Sequence, residues 1–245
     1  MKDTKEYADN YAKLPFEDKM VEIRRQEVIA SILKYPHQKI LEIGCGASPL
    51  FMHFDDYQEM HVVEPVDAFY DNACYLAANK KYVLLYHDYT DRFVAELRGA
   101  NLDFVVLSSV LPDVKEPLAL LETLGEICTP DTILHINVPN AYSVHRILAK
   151  EMGLITDVFE FSQANKDMQQ YVVYSMDSLK ECLAQSCFSV IEEGSYFIKP
   201  FTHQQMALGL AHGIITDEML AGLSRLEPHM PGLGAEIFVN CRKTR

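Results

Sequence analysis

The residues Lys39-Ile-Leu-Glu-Ile-Gly-Cys-Gly-Ala-Ser48 set an apolar run beside two closely spaced glycines and a carboxylate. Ile40, Leu41 and Ile43 read as a short strand, and Glu42 stands two residues before Gly44. Gly44 and Gly46 admit positive φ and let the backbone come close to a ligand. A strand that ends in such a turn opens a ligand crevice at its carboxyl end. The dinucleotide fingerprint G-x-G-x-x-G needs a third glycine, for close helix–strand packing beside a pyrophosphate on the helix N-terminus. Pro49 occupies that place. The turn therefore suits a nucleoside ligand without a pyrophosphate better than NAD.

The pattern E-x-G-x-G after an apolar strand resembles motif I of the class I S-adenosylmethionine (SAM) dependent methyltransferases. Ser48 departs mildly from that family, which often has a further glycine there. The resemblance covers roughly residues 36 to 140. It implies SAM as cofactor and S-adenosylhomocysteine (SAH) as product. Gly44, Cys45 and Gly46 would then meet the amino-acid portion of the cofactor, with Glu42 helping to hold its ammonium group. Cys45 is expected to shape the turn and not to act as a nucleophile, since no strongly basic surroundings are evident. Glu64 ends the apolar run His61-Val-Val, twenty residues after Gly44, and with Pro65 matches the ribose-binding end of the second strand. A carboxylate suits that task because it accepts two hydrogen bonds at once. Asp88 and Tyr89, after the third strand Tyr82–Tyr86, match the adenine side. Ser108 and Ser109 follow the fourth strand, Leu102–Leu107. Related enzymes commonly carry Leu-Glu-His-Val next, where this chain has Leu111-Pro-Asp-Val114, so a catalytic role cannot be carried over to that position.

These residues need a scaffold. Strands alternate with helical or turn segments from Gly44 to Val138, which argues a doubly wound, mostly parallel α/β sheet. The resemblance implies seven strands, Rossmann-like, with the last one, Glu236–Cys241, antiparallel. One domain is expected over 1–245. Residues 1–35 form an N-terminal helical flap, 36–140 the cofactor-binding core, and 141–175 with 199–232 a cover on the acceptor side. A helical stripe, Met20, Ile23, Val28 and Ile32, marks the flap. Tyr7 and Tyr11 precede it; either they pack on the domain, or Tyr11 closes over the cofactor as in similar enzymes.

Acceptor residues are sought where the fifth strand, Thr132–Pro139, ends. Asn140, Tyr142, His145 and Arg146 form a dense polar set there. His145 is the candidate base and Arg146 the candidate anion anchor, because its fork binds carboxylate or phosphate bidentately. Asn140 and Tyr142 are candidate acceptor contacts, as is His203 in Lys199-Pro-Phe-Thr-His203. The bland alternative makes Asn140 a helix cap and the others structural. Segments 138–146, 199–203 and 230–238 also resemble bacterial small-molecule enzymes of the type 11 and type 12 methyltransferases, often linked to sugars or surface polysaccharides. No metal ligand cluster is seen.

Composition narrows the partners. A net charge of −13 over 245 residues argues against nucleic acid, which usually needs a basic face. No run of about 18 apolar residues suggests a membrane span. Six scattered cysteines without C-x-x-C pairs fit a reducing cytoplasm. The sequence thus predicts a SAM-dependent methyltransferase acting on oxygen or nitrogen of a small polar acceptor, and it leaves a homodimer open. Two alternatives are carried: a non-catalytic SAM- or SAH-binding regulatory protein and, less favoured, an NAD-dependent oxidoreductase.

Overall fold

The computed structural model describes residues 3–244. Seven strands form one sheet: β1 (Lys39–Ile43), β2 (Glu59–Val63), β3 (Val83–Tyr86), β4 (Phe104–Ser108), β5 (Ile133–Pro139), β6 (Phe188–Tyr196) and β7 (Glu236–Lys243). Their spatial order is β3-β2-β1-β4-β5-β7-β6. The first five run parallel, and β7 lies antiparallel to both β5 and β6. The sequence expectation of a mostly parallel sheet with an antiparallel last strand holds. Strand order reverses between β1 and β4, which puts a crevice above their carboxyl ends.

The central strands are covered on both faces, so they read as nearly continuous apolar runs. Leu41, Val105, Leu107, Leu134 and Ile136 face α4 (Val94–Gly99), α5 (Pro117–Ile127) and α8 (Met176–Ala184). Ile40, Met60, Phe104 and Ile133 face α2 (Glu17–Ile32) and α3 (Asp67–Ala77). The N-terminal segment is two helices, α1 (Thr4–Tyr11) and α2, with Phe16 at φ 64° where the second begins. The acceptor-side cover expected over two stretches, 141–175 and 199–232, is helical. The first is α6 (Val144–Glu151), followed by the short α7 (Gln163–Asp167). The second is a pair, α9 (His203–Ala211) and α10 (Asp217–Arg225), because Gly213 at φ 66° breaks the run.

No α-helix separates β1 from β2. Pro49 leads into one 3-10 turn, Leu50–Met52, and the chain then crosses to β2. The Leu50 amide donates 2.8 Å to a Glu42 oxygen.

Two consecutive arginines of α2 reach buried carboxylates on different strands. Arg25 meets Glu42 of β1 at 2.6 Å, and Glu42 is 0% exposed. Arg25 also donates to the carbonyls of Cys45 (3.2 Å) and Ser48 (2.6 Å), so it holds both limbs of the glycine turn. Arg24 grips Glu236 of β7 with Nε and Nη2, at 3.0 and 2.6 Å, and reaches Glu17 at 3.2 Å. Tyr196 and Asn137 donate to the same Glu236 at 2.5 and 2.9 Å.

Removing one partner of a buried ion pair leaves an uncompensated charge, at a cost of about 3–5 kcal/mol. Arg25→Met should therefore lower Tm by roughly 6–20 °C in a chain of this size. Adding Glu42→Gln should recover part of the loss. Thermal unfolding checks both, and an unchanged Tm in Arg25→Met would contradict the clamp.

Candidate functional site

A cavity of about 1100 Å³ opens at the carboxyl edge of the sheet. Small-molecule sites run to roughly 300–1,000 Å³, so this volume leaves room for two reactants. Its walls come from the ends of β1, β2, β4 and β5, and from α1, α2, α6 and α9.

One half is built on the glycine turn. Gly44 and Gly46 take φ 72° and 58°. A Cβ on Gly44 would stand 2.7 Å from a Val110 methyl carbon, so no side chain fits there. A Cβ on Gly46 would meet only the Tyr11 hydroxyl, at 3.9 Å, so its space belongs to the cavity. Glu64 lies against this turn. Its two oxygens accept from the Gly46 and Val66 amides at 3.0 and 2.9 Å. Burial raises its pKa, while the two amides oppose the shift. Each oxygen keeps a lone pair for a ligand hydroxyl. Burial pushes the Cys45 thiol up strongly, which suits a turn residue and not a nucleophile. Pro65, Ser108 and Ser109 continue the wall. Both serine hydroxyls are buried without a hydrogen-bond partner, although Ser109 is fixed at φ 56° by its amide bond to the Asn137 carbonyl at 2.8 Å.

Tyr11 lies across this half, its ring 5.5 Å from Phe69 and 6.3 Å from Tyr7. Burial, then Glu17, pushes its phenol up to about 12. Tyr7 donates 2.8 Å to Asp113, so the departed Pro112-Asp113 segment anchors α1. Further bonds tie α1 to the loop beyond α7: Asp3 amide to Gln169 at 2.9 Å and Asn10 to the Asp167 carbonyl at 2.9 Å.

Several expected site residues lie elsewhere. Glu42 is absent from the cavity wall; it is spent on Arg25 and Leu50 beneath the turn, because a carboxylate in the dry sheet must be paired. The Asp88 side chain is 46% exposed and caps its own neighbour's amide, that of Tyr89, at 2.7 Å. Tyr89, Thr90 and Asp91 line the cavity instead. Asn140 reaches the wall, but its amide donates to the Gly232 and Gly234 carbonyls and its oxygen accepts from the Tyr142 amide, so it ties the covers together. Tyr142 points outward, edge-on to Phe159. Arg146 lines the cavity, yet its guanidinium is held by the Val158 and Glu160 carbonyls at 2.8 and 2.5 Å.

His145 and His203 do face the cavity, and they meet there a residue that sequence reasoning passed over. Lys199 follows β6 and is 1% exposed. Its Nζ lies 2.9 Å from His203 Nδ1. Burial brings Lys199 down to about 7 and His203 to about 3. Burial above all holds His145 near 2, so it is neutral and a weak base. The available signal was a lysine ending the apolar run Tyr196-Phe-Ile, four residues before a histidine.

A sequence profile described as a methyltransferase domain matches residues 3–193, and the chain belongs to that family. Comparison with curated proteins gave no match. Among solved structures, the fold resembles the plantazolicin methyltransferase BamL, solved with a triazolic desmethylPZN analog and SAH, at TM-score 0.60 and 15% identity over 98% of this chain and 91% of that one. It also resembles N-methyltransferase NodS from Bradyrhizobium japonicum WM9 with SAH, at 0.56 and 11% over 95% and 90%. The [4+2]-cyclase SpnF aligns at 0.54 and 13% over 89% and 79%. This is the fold of the class I SAM-dependent methyltransferases. Among the described residues no helix is long and apolar enough to cross a membrane.

Glu64→Ala should weaken SAH binding at least tenfold with Tm nearly kept, since charge-assisted bonds contribute about 1.5–3 kcal/mol each. Gly46→Val should abolish binding by filling the space beneath Tyr11. Calorimetry with SAH reads both, and near-native affinity in either variant would move the cofactor elsewhere.

Proposed function

We propose that this chain transfers the methyl group of SAM to an oxygen or nitrogen of a small polar acceptor. The observation that carries the reading is Glu64, held by two backbone amides against an open glycine turn, with its free lone pairs on the wall of a cavity far larger than one nucleoside needs. The residues present fit the cofactor. Glu64 binds the ribose hydroxyls, and Gly44 and Gly46 admit close approach of the amino-acid portion. The orphaned Ser108 and Ser109 hydroxyls offer it polar contacts. Tyr11 closes this half from water, and the wall at Tyr89 and Asp91 borders the base. When bound, SAM supplies a methyl already activated by its sulfonium, so the chain must chiefly position the acceptor.

The acceptor half is bordered by His145, Arg146, Lys199 and His203. His145 orients the acceptor as a neutral imidazole, and Arg146 shapes the wall through the loop it holds. A sugar or surface-polysaccharide precursor is the finer reading of the acceptor; it rests on the resemblance of segments 138–146, 199–203 and 230–238. A reducing cytoplasm is the matching location, supported by six free cysteines. The NAD reading is disfavoured further because only one 3-10 turn, and no α-helix N-terminus, follows the glycine turn to meet a pyrophosphate.

Calorimetry should show SAM and SAH binding and none with NADH. Incubation with SAM and small hydroxyl or amine acceptors should release SAH. NADH binding in place of SAM would overturn the proposal, and SAM binding without turnover on any acceptor would favour a regulatory role. Arg146→Ala should lower Tm while SAH affinity stays within about threefold, because its contacts are to backbone carbonyls and not to the cofactor half. His145→Ala should lower turnover at unchanged SAH affinity.

A further inference from the structure

The acceptor half holds a buried lysine that makes no ion pair among the described residues. Lys199 is almost wholly buried, and a buried charge is normally paired. Its hydrogen bond goes to an imidazole, His203 Nδ1, at 2.9 Å. The nearest carboxylates are already engaged: Glu236 with Arg24, Tyr196 and Asn137, and Glu17 with Arg24. Among the described residues neither makes an ion pair with Lys199. His145, also on the wall, keeps an unpartnered Nδ1. His203 is placed rigidly, since Thr202 caps α9 through a capping box and the His203 ring stands edge-on to Phe16 at 6.2 Å.

We propose that Lys199 is the proton acceptor of the methyl transfer: an uncharged amine, held by His203 at the cavity wall, takes the proton from the hydroxyl or amine N–H that is methylated. The inference rests on the methyltransferase reading and names the base within it. The acceptor's X–H bond breaks and an N–H bond forms on Nζ, giving ammonium. A lone pair on X bonds the methyl carbon, the X–H pair stays on X as its proton leaves, and the C–S pair returns to sulfur, so charge passes from the sulfonium to Lys199. Each surrounding element bears on Lys199. Glu236 of β7 and Glu17 of α2 favour its charged form, Arg24 of α2 opposes it, and His203 and His145 stay neutral; burial outweighs these and leaves Lys199 near 7. A base poised near the working pH is the efficient choice for general-base catalysis. The two histidines, held near 3 and 2, are far weaker bases. Lys199 and His203 lie beyond the residues matched by the family profile, which end at 193.

The test is an NMR titration of 13C-lysine protein saturated with SAH, with the Lys199 Cε signal identified by its loss in Lys199→Arg. A midpoint near 7 is expected, and a lower one with SAM in place of SAH, because the sulfonium opposes a second cation nearby. A midpoint near the ordinary lysine value of about 10.4 would overturn the proposal. On acceptors that release SAH, Lys199→Met should lose at least a hundredfold in kcat with SAH affinity unchanged, within the usual reach of a general base of about 10²–10⁴. Retained kcat would also overturn it. Failure of the methyltransferase reading is seen separately, as absence of SAH binding in calorimetry before any titration.

Discussion

Two adjacent arginines on one helix neutralise the carboxylates that the sheet buries. Arg25 and Arg24 point to different strands, β1 and β7, because the helix crosses the face of the sheet between them. Glu42 and Glu236 are nearly inaccessible, and each would be prohibitive unpaired. The same guanidiniums do more than balance charge. Arg25 fixes the glycine turn through two carbonyls, and Arg24 gathers Glu17, Glu236 and, through Glu236, Tyr196 and Asn137. Both halves of the cavity are therefore set by one turn of α2.

The two halves differ in electrical character. On the cofactor side an ionisable carboxylate, Glu64, meets backbone amides and unsatisfied hydroxyls, surroundings suited to a ligand rich in hydroxyls and cationic groups. On the far side, Lys199, His203 and His145 line the wall together, while the carboxylates near them, Glu236 and Glu17, are engaged by Arg24. Crowding and desolvation keep the imidazoles uncharged, so the basic wall is chemically soft and not simply positive. A protein of net charge −13 thus presents neutral nitrogen lone pairs at its centre.

Local features were legible in the sequence. The strands of the central sheet show as apolar runs because helices cover both of their faces, and the glycine turn and Glu64 lie within twenty residues of one another. Asp88 lies in a loop that borders the cavity, but its side chain satisfies the next amide and leaves Asp91 on the wall. Glu42 was misread because its partner sits on another element, seventeen residues earlier, and nothing local announces that pairing. Tyr142 and His145 are three residues apart, yet one points outward and the other inward, since the chain turns from an Asx bend into α6 between them. Lys199, His203 and Glu236 come together only when β6 and β7 pair antiparallel and carry two separate segments to the edge of β5.

Helix α1 and its cap are tied down at few points: the Asp3 amide to Gln169, the Asn10 side chain to the Asp167 carbonyl, Tyr7 to Asp113, and the tyrosine rings to Phe69. None of its residues is fully buried. An eight-residue helix with so little apolar cover opens at a small fraction of the global unfolding free energy. On the proposed reading, a nucleoside beneath Tyr11 exchanges as this short helix frays, and its residence time is a property of residues 3–11.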